Sequence, residues 1–353
     1  MASTRVIGLD IGSTCVRAAE LEFPGGNRTG KNPPSLVRFG EVGLPLGAVR
    51  DGEVVQQDIV ARALRQLWSQ AKFESKDVVI GVGNQRVVVR ELDLPWMPYA
   101  QIKESLAFQV SDSLPMSIED ALLDFYPTSQ SDGPQGRMVH GMLVAAQRDT
   151  VSTNVIAVEA AGLHPTMVDL NAFALVRSLA RGDLARGTTA FVDIGASVTT
   201  IVIADQGVPR LVRSLPSGGQ NVTAAVAAAA GISNPEAEVV KREVGIGYAV
   251  TPDRAVASEA VNGVVRTLVE SIRNTLVYYT QNGGAAIDVV ALIGGGAHLP
   301  GLGQYLSSTS RLPVTLGDPL SGLRTSKTAD RAALNGHESL IALSVGLAYG
   351  VAA

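Results

Sequence analysis

Two short segments of the sequence place an aspartate, a glycine and small or hydroxyl side chains in the same order between apolar runs. They are Val6–Ala18 (VIGLDIGSTCVRA) and Ala190–Ile201 (AFVDIGASVTTI). Each reads as strand, Asp-Ile-Gly, small residues, strand. Glycine lets the backbone turn tightly and approach a ligand closely. Successive amide N–H groups in such a turn form an anion-binding concavity. Gly12, Ser13 and Thr14 make the first turn, and Gly195, Ala196 and Ser197 the second, with the hydroxyls as added donors. Asp10 and Asp193 fall at strand ends, where they can hold Mg²⁺ through water. That ion keeps several waters and binds through one or two carboxylates plus phosphate. One Asp-x-Gly alone fits an ordinary β-hairpin. The second copy, in matched context, predicts two facing turns that clamp a triphosphate. A third segment, Val289–Ile293, runs into Gly294-Gly295-Gly296, with a helix expected near Pro300. Glycines there let a flat adenine ring lie against backbone, and a helix start offers free N–H groups.

The elements that must position these turns follow from pattern. Val6–Asp10 and Val16–Glu22 read as strands, Ile59–Lys72 as an amphipathic helix, and Val78–Val82 and Arg86–Leu92 as strands about a hairpin-like turn, Gly83-Asn84-Gln85. Ala100–Leu114 is helical. Asp124–Pro127 and Met138–Ala146 are strands around a polar loop, Ser129–Arg137, and Thr150–Ala161 is a helix stopped by Gly162. Farther on, Ala190–Asp193 and Thr199–Ala204 are strands. Asn221–Ala230, Pro235–Glu243 and the long Ala255–Asn282 are helices, the last followed by Gly283-Gly284. Pro24–Pro34 reads as a loop. Alternating strands and helices indicate an α/β protein.

Composition bounds the rest. The 353 residues suit two or three domains. A hydrophobic share of 46% excludes a disordered chain, and 29 basic against 33 acidic residues, net −4, argues against a nucleic-acid binder. One cysteine, Cys15, excludes internal disulfides and fits a reducing compartment, with Cys15 itself a packing residue. His140, His164, His298 and His337 are scattered without metal-ligand spacing, so no zinc site is expected; His298 reads as a cap on the triple-glycine turn. The N-terminal stretch lacks the three parts of a signal peptide, and no run reaches the ~20 apolar residues of a membrane span. The expectation is a soluble cytoplasmic protein.

The two Asp-Ile-Gly turns followed by the triple glycine resemble the phosphate-1, phosphate-2 and adenosine motifs of the actin-like ATPase superfamily. Ala237-Glu238-Val239-Val240-Lys241 resembles the helix that touches ribose and adenine in bacterial actin homologues, although an exposed Glu238–Lys241 ion pair is the plainer alternative. Gly218-Gly219-Gln220-Asn221 resembles the turn after the phosphate-2 hairpin. Within the superfamily the chain is similar to the PilM family of type IV pilus assembly. The resemblance rests on Leu9–Thr14 with Val16-Arg17-Ala18, Leu94-Pro95, Ile102–Leu106, Leu114-Pro115, Leu143–Ala146, Glu159–Leu163, Val168-Asp169-Leu170, Leu299–Leu302, Asp318-Pro319 and the closing Ala342–Gly350.

That resemblance implies a two-lobed actin-like ATPase fold, with duplicated RNase H-like lobes and an inserted 1C subdomain of SHS2 type. The implied divisions are 1–86 for subdomain 1A, 87–164 for 1C, 165–187 for the return to 1A, 188–221 for 2A, 222–282 for 2B, and 283–353 for the return to 2A. It implies ATP and Mg²⁺ as cofactors, with nucleotide held by Asp10, Gly12, Ser13, Thr14, Asp193, Gly195, Ala196, Ser197, Gly218, Gly219, Glu238, Lys241 and Gly294-Gly295-Gly296, and metal by Asp10 and Asp193. Asp10, Asp169, Asn171 and Asp193 are the catalytic candidates. Asn171 stands where an acidic residue is expected, so the chain is at most a slow ATPase. It implies a scaffold peripheral to the inner face of the cell membrane. Its partner is the cytoplasmic N-terminal segment of a PilN-like bitopic inner-membrane protein, bound in a nucleotide-dependent way in a groove between 1A and 1C, with other pilus assembly proteins nearby. Trp96 and Met97, flanked by prolines, are the exposed candidates for that contact, whereas Phe108 reads as core. The alternatives are a sugar or small-molecule kinase, which needs an aspartate base such as Asp169, and an FtsA-like filament-forming division protein, which carries an amphipathic tail not seen after Gly350.

Overall fold

The structure, a computed structural model, describes residues 3–26, 33–111, 114–134, 136–326, 329 and 334–350. Most of the expected Pro24–Pro34 loop, the end of the Ala100–Leu114 helix and the tip of the Ser129–Arg137 loop lie outside the described residues.

Two sheets carry the fold, and their strands are ordered alike. In the first, Ser35–Gly43, Cys15–Phe23, Thr4–Ile11, Asp77–Val82 and His164–Leu170 lie side by side. In the second the order is Val208–Leu215, Thr199–Asp205, Thr188–Ile194, Val289–Ile293 and Val314–Leu316. Both run third, second, first, fourth, fifth by chain order. In both, the first three strands are antiparallel and the fourth and fifth parallel. The sequence repeat is therefore the visible part of a duplicated lobe. Thr188–Ile194 is almost wholly buried, as expected of a strand covered on both faces.

Crossover helices cover the sheets. In the first lobe, helices Gln57–Ala71 and Arg148–Ala160 pack together over one apolar core with Ile7, Leu9, Val78 and Ile80. In the second lobe, Gly219–Ala230, Asn234–Val244, Ala255–Gln281 and Leu302–Ser310 do the same. The long helix presents Val261, Val265, Leu268, Ile272, Leu276 and Tyr279 to that core. Helix Asn234–Val244 starts at a capping box, in which Ser233 and Glu236 exchange hydrogen bonds, with Pro235 in the first turn.

The helices that follow the fifth strands are exchanged. Asn171–Leu179, from the first lobe, rests on Thr199–Asp205 and Val208–Leu215 of the second. Ala342–Ala348, from the end of the chain, rests on Thr4–Ile11 and Cys15–Phe23 of the first. The two helices cross with Gly346 against the Ala174 backbone. The closing part of 283–353 thus packs on the first sheet. Arg324-Thr325 also pairs with Ser35–Gly43 as a sixth strand of the first sheet.

A third sheet, Val87–Pro95, Gly136–Gln147 and Ala121–Gly133, is inserted between the fourth strand of the first lobe and its crossover helix. Helix Tyr99–Val110 covers one face through Ile102, Leu106 and Val110, against Leu94, Phe125, Val139 and Leu143. Its strands end at Gln147, and helix Arg148–Ala160 packs on elements of the first lobe.

Two further expectations change. Gly83-Asn84-Gln85 is no hairpin, because Asp77–Val82 and Val87–Pro95 lie in different sheets. Buried Asn84 fixes a corner there, donating to the Asp51 carbonyl at 2.9 Å and to Glu53 Oε1 at 3.1 Å. The polar stretch 129–137 is largely strand. It forms a projecting hairpin whose last rung is Gly133 opposite Gly136, and exposure on both faces makes its sequence look like loop. The strands Ser35–Gly43 and Val208–Leu215 were not expected at all.

Candidate nucleotide cleft

The two Asp-Ile-Gly turns face each other across one cleft. Asp10 sits opposite Arg17, and Asp193 opposite Thr200, one rung below the end of each antiparallel pair. Each turn closes in the same way: Gly12 N donates to the Cys15 carbonyl at 3.0 Å, and Gly195 N to the Val198 carbonyl at 3.0 Å. Ser13 Oγ meets Ser197 Oγ at 2.6 Å, joining the lobes at the turns themselves.

A cavity of about 840 Å³ opens over these turns. Its walls include Asp10, Gly12, Ser13, Thr14, Asn171, Asp193, Gly195, Ala196, Ser197, Gly218, Gly219, Glu238, Lys241 and Gly294-Gly295-Gly296. The structure thus gathers residues that are up to 286 positions apart in sequence, from Asp10 to Gly296. Two glycines show why nothing larger fits. A Cβ on Gly218 would lie 2.4 Å from the Gly195 carbonyl oxygen and 2.6 Å from that of Ala196. Gly294 has φ 79° and packs on Asp193, where a Cβ would come within 2.2 Å of the carboxylate. Gly219 N and Gln220 N donate to the Gly195 and Ala196 carbonyls at 2.9 and 2.8 Å, so the second turn is held from behind by the start of a helix.

The electrostatics are set by burial. Loss of water pushes the Asp10 carboxyl up to about 6, against the pull of Arg17. Burial, with the Asp10 charge added, pushes Asp193 up to about 7. Two buried carboxylates in a glycine-lined cleft, one raised further by the charge of the other, form a site that favours a cation. Among the described residues no group of three His, Cys, Asp or Glu side chains could hold a metal ion by itself, so any ion here needs water or ligand oxygens as well. Burial pushes the Cys15 thiol up to about 11, which leaves it inert.

Lys241 is not the exposed partner of an ion pair. It is buried, and its ammonium reaches Glu238 Oε2 at 2.5 Å, Thr223 Oγ1 at 3.0 Å and the Gly219 carbonyl at 3.3 Å. Burial opposes the Glu238 charge, but hydrogen bonds from Lys241, Thr223 and Arg242 hold its carboxyl below the usual range. Asp169 lies off the cleft, its carboxylate buried against Arg177 and accepting from Leu170 N at 2.7 Å. Asn171 does reach the cleft, with its Oδ1 buried and unpartnered. His298 does more than end a turn: Nε2 lies 2.8 Å from Ser339 Oγ and its ring packs at a tilt on His337, centroids 5.2 Å apart, in the cleft wall.

Arg17, Glu41 and Thr223 line the cleft and were not foreseen. Arg17 was legible in principle, since a hairpin closing at Gly12–Thr14 sets it opposite Asp10. Thr223 depends on a helix packing that no local pattern gives. Trp96 and Met97 are far from the cleft, on the inserted unit. Trp96 is half exposed, with the Arg137 guanidinium 5.3 Å from its ring, while Met97 packs on the Leu94–Ile102 cluster. Phe108, expected in the core, is 88% exposed.

Comparison with known proteins gives the frame. The family model for type IV pilus assembly protein PilM matches residues 8–350. A solved PilM-PilN type IV pilus biogenesis complex superposes with TM-score 0.84 at 26% identity, covering 97% of each chain. The ethanolamine utilization protein EutJ of Carboxydothermus hydrogenoformans superposes at 0.58 with 15% identity, over 99% of this chain and 90% of that one. MreB5 of Spiroplasma citri bound to AMPPNP gives 0.52 with 14% identity, over 97% and 94%. Cell division protein FtsA of Bacillus subtilis is 22% identical over 69% of this chain, and the chain spans 58% of its length. The fold is the two-lobed actin-like fold. Among the described residues no helix is long and apolar enough to cross a membrane.

Proposed function

The chain belongs to the PilM family of type IV pilus assembly proteins, and we propose that it works there as an ATP-holding scaffold whose grip on a membrane partner depends on the nucleotide in the cleft. The observation that carries this reading is the pair of equivalent turns, Gly12–Thr14 and Gly195–Ser197, facing one cavity from two lobes. Backbone N–H groups and hydroxyls of both turns would grip the phosphates. Asp10 and Asp193 would hold Mg²⁺ through water. Gly218 and Gly219 close the second turn, and Glu238, Lys241 and Gly294–Gly296 would hold ribose and base. ATP with Mg²⁺ supplies the charge that both lobes bind at once, which favours the closed arrangement. Asn171 has an amide where a base would be needed, so turnover is at most slow.

The inserted unit, with the first lobe beside it, would take the cytoplasmic N-terminal segment of a PilN-like bitopic inner-membrane protein, with Trp96 and Met97 as contacts. This places the chain at the cytoplasmic face of the membrane through its partner, beside other pilus proteins. The solved relative of 26% identity, a PilM-PilN complex, supports that partner. Two measurements test the reading. Titration of ATP in Mg²⁺ against the Asp10→Ala, Asp193→Ala double variant should show at least a tenfold loss of affinity, about 1.4 kcal/mol; unchanged affinity overturns the phosphate clamp. The affinity of the partner peptide should differ with ATP, ADP and no nucleotide, and equal values overturn the coupling.

A further inference from the structure

One short helix touches the cleft, the second lobe and the inserted sheet. Asn171, its first residue, lines the cleft. The Asn171 side chain is wedged over the ends of the strand Asp77–Val82. A Cβ on Gly81 would come 2.0 Å from its Oδ1, and one on Gly83 2.9 Å from its Cβ. That Oδ1 is buried without a hydrogen-bond partner, an unfavourable state that a donor arriving in the cleft would relieve. Two residues along, Phe173 contacts the inserted unit. It is buried, and its ring packs on Tyr126 of the strand Ala121–Gly133 with centroids 4.8 Å apart and planes at 44°. From Ala172 to Val176 every residue is buried, and the helix rests on Thr199–Asp205 and Val208–Leu215 of the second lobe and on the helix Ala342–Ala348.

We propose that helix Asn171–Leu179 carries the state of the cleft to the inserted sheet, with Asn171 as the sensing residue and the Phe173–Tyr126 contact as the output. This rests on the reading of the cleft as a nucleotide site and names how that site regulates the partner-binding unit. The physical basis is stiffness. The helix is about 14 Å long at ~1.5 Å per residue and held on nearly every side, so a shift at its first turn moves Phe173 with it. Tyr126 is 43% exposed and receives that shift on the edge strand of a three-stranded sheet. Packed cores pass on small displacements because they are dense. Coupling of this kind is a free energy between two sites and is measurable as such.

The test is hydrogen exchange of the full chain with and without Mg-AMPPNP, with affinity measured on the same samples by titration of a fluorescent ATP analogue. In the unmodified protein, Mg-AMPPNP should slow exchange in the 121–147 hairpin by about fivefold or more, the lower end of usual coupling. Tyr126→Ala, a surface change remote from the cleft, should bind nucleotide equally well and lose that slowing. Tyr126→Phe should retain it. Asn171→Ala should lose the slowing when saturated with Mg-AMPPNP, whatever its affinity, and slowing that survives there at saturation overturns the sensing role. Nucleotide binding without any change in the hairpin of the unmodified protein, or slowing that survives in Tyr126→Ala, overturns this inference and leaves the cleft assignment standing. Absence of binding overturns both.

Discussion

Burial in the cleft sets Asp10 and Asp193 against folding, and the sign of that opposition is measurable. Both carboxyls take up protons more readily in the folded chain than in the unfolded one, at about 6 and about 7 against an ordinary 3.8. Their contribution to stability is therefore complete below about pH 4 and is lost as pH rises through 6 and 7. Asp193→Asn should consequently be more resistant to urea than the unmodified chain at pH 8, by about 1–3 kcal/mol after allowance for the water that still reaches the cleft. The gap should close toward pH 4, and a gap that is independent of pH would show that the carboxylate is not strained. Mg²⁺ with nucleotide should reverse the order at pH 8, because only the carboxylate gains from it. Lys241 offers a second test. Its three hydrogen bonds end on Glu238, Thr223 and the Gly219 carbonyl. Lys241→Ala leaves Glu238 partly buried with one fewer partner, which should cost about 1–3 kcal/mol of stability by urea unfolding and weaken nucleotide binding in the same variant. The residue types of this site were readable because chemistry and spacing repeat at Asp10 and Asp193. Phe108 was misread because an apolar residue in a helix is ordinarily core, and only the three-dimensional position of helix Tyr99–Val110 reveals that its ring faces solvent.

The elements that hold the site were legible wherever apolar pattern and local turn agree. Thr4–Ile11, Thr188–Ile194 and Ala255–Gln281 lie within two residues of their expected bounds. The failures share a cause. Whether Gly83-Asn84-Gln85 joins two strands of one sheet or two different sheets depends on where the strands go next, and sequence within ten residues does not contain that. The exchange of helices Asn171–Leu179 and Ala342–Ala348 is likewise a long-range fact. It makes a stringent packing demand, since a Cβ on Gly346 would lie 1.9 Å from the Ala174 carbonyl oxygen. Gly346→Ala must separate two backbones at the point where the lobes share a core. A loss of about 3 kcal/mol in urea unfolding is expected, at the upper end of overpacking effects. A loss below about 0.5 kcal/mol would mean that the helices do not cross there.

At the scale of the molecule, one apolar core joins residues of all three larger sheets, including Leu21, Met142, Phe191 and Val202, around the two exchanged helices. The lobes should therefore unfold together, and a ligand that spans them should stabilise both. At a hundredfold excess over its dissociation constant, nucleotide should add about 2.7 kcal/mol to a single unfolding transition. Two transitions, with only one shifted by nucleotide, would separate the lobes. The same exchange has a consequence for biosynthesis. The face of the first sheet formed by Val6, Leu21 and Phe23 is covered by a helix that begins at Ala342. On a ribosome adding ~5–20 residues per second, on the order of 15–60 s separate the first hairpin from its cover. For that interval the nascent amino-terminal lobe has an oily face and an incomplete fold. Chaperone occupancy during translation should accordingly begin with the first lobe and persist until the closing helix has left the exit tunnel.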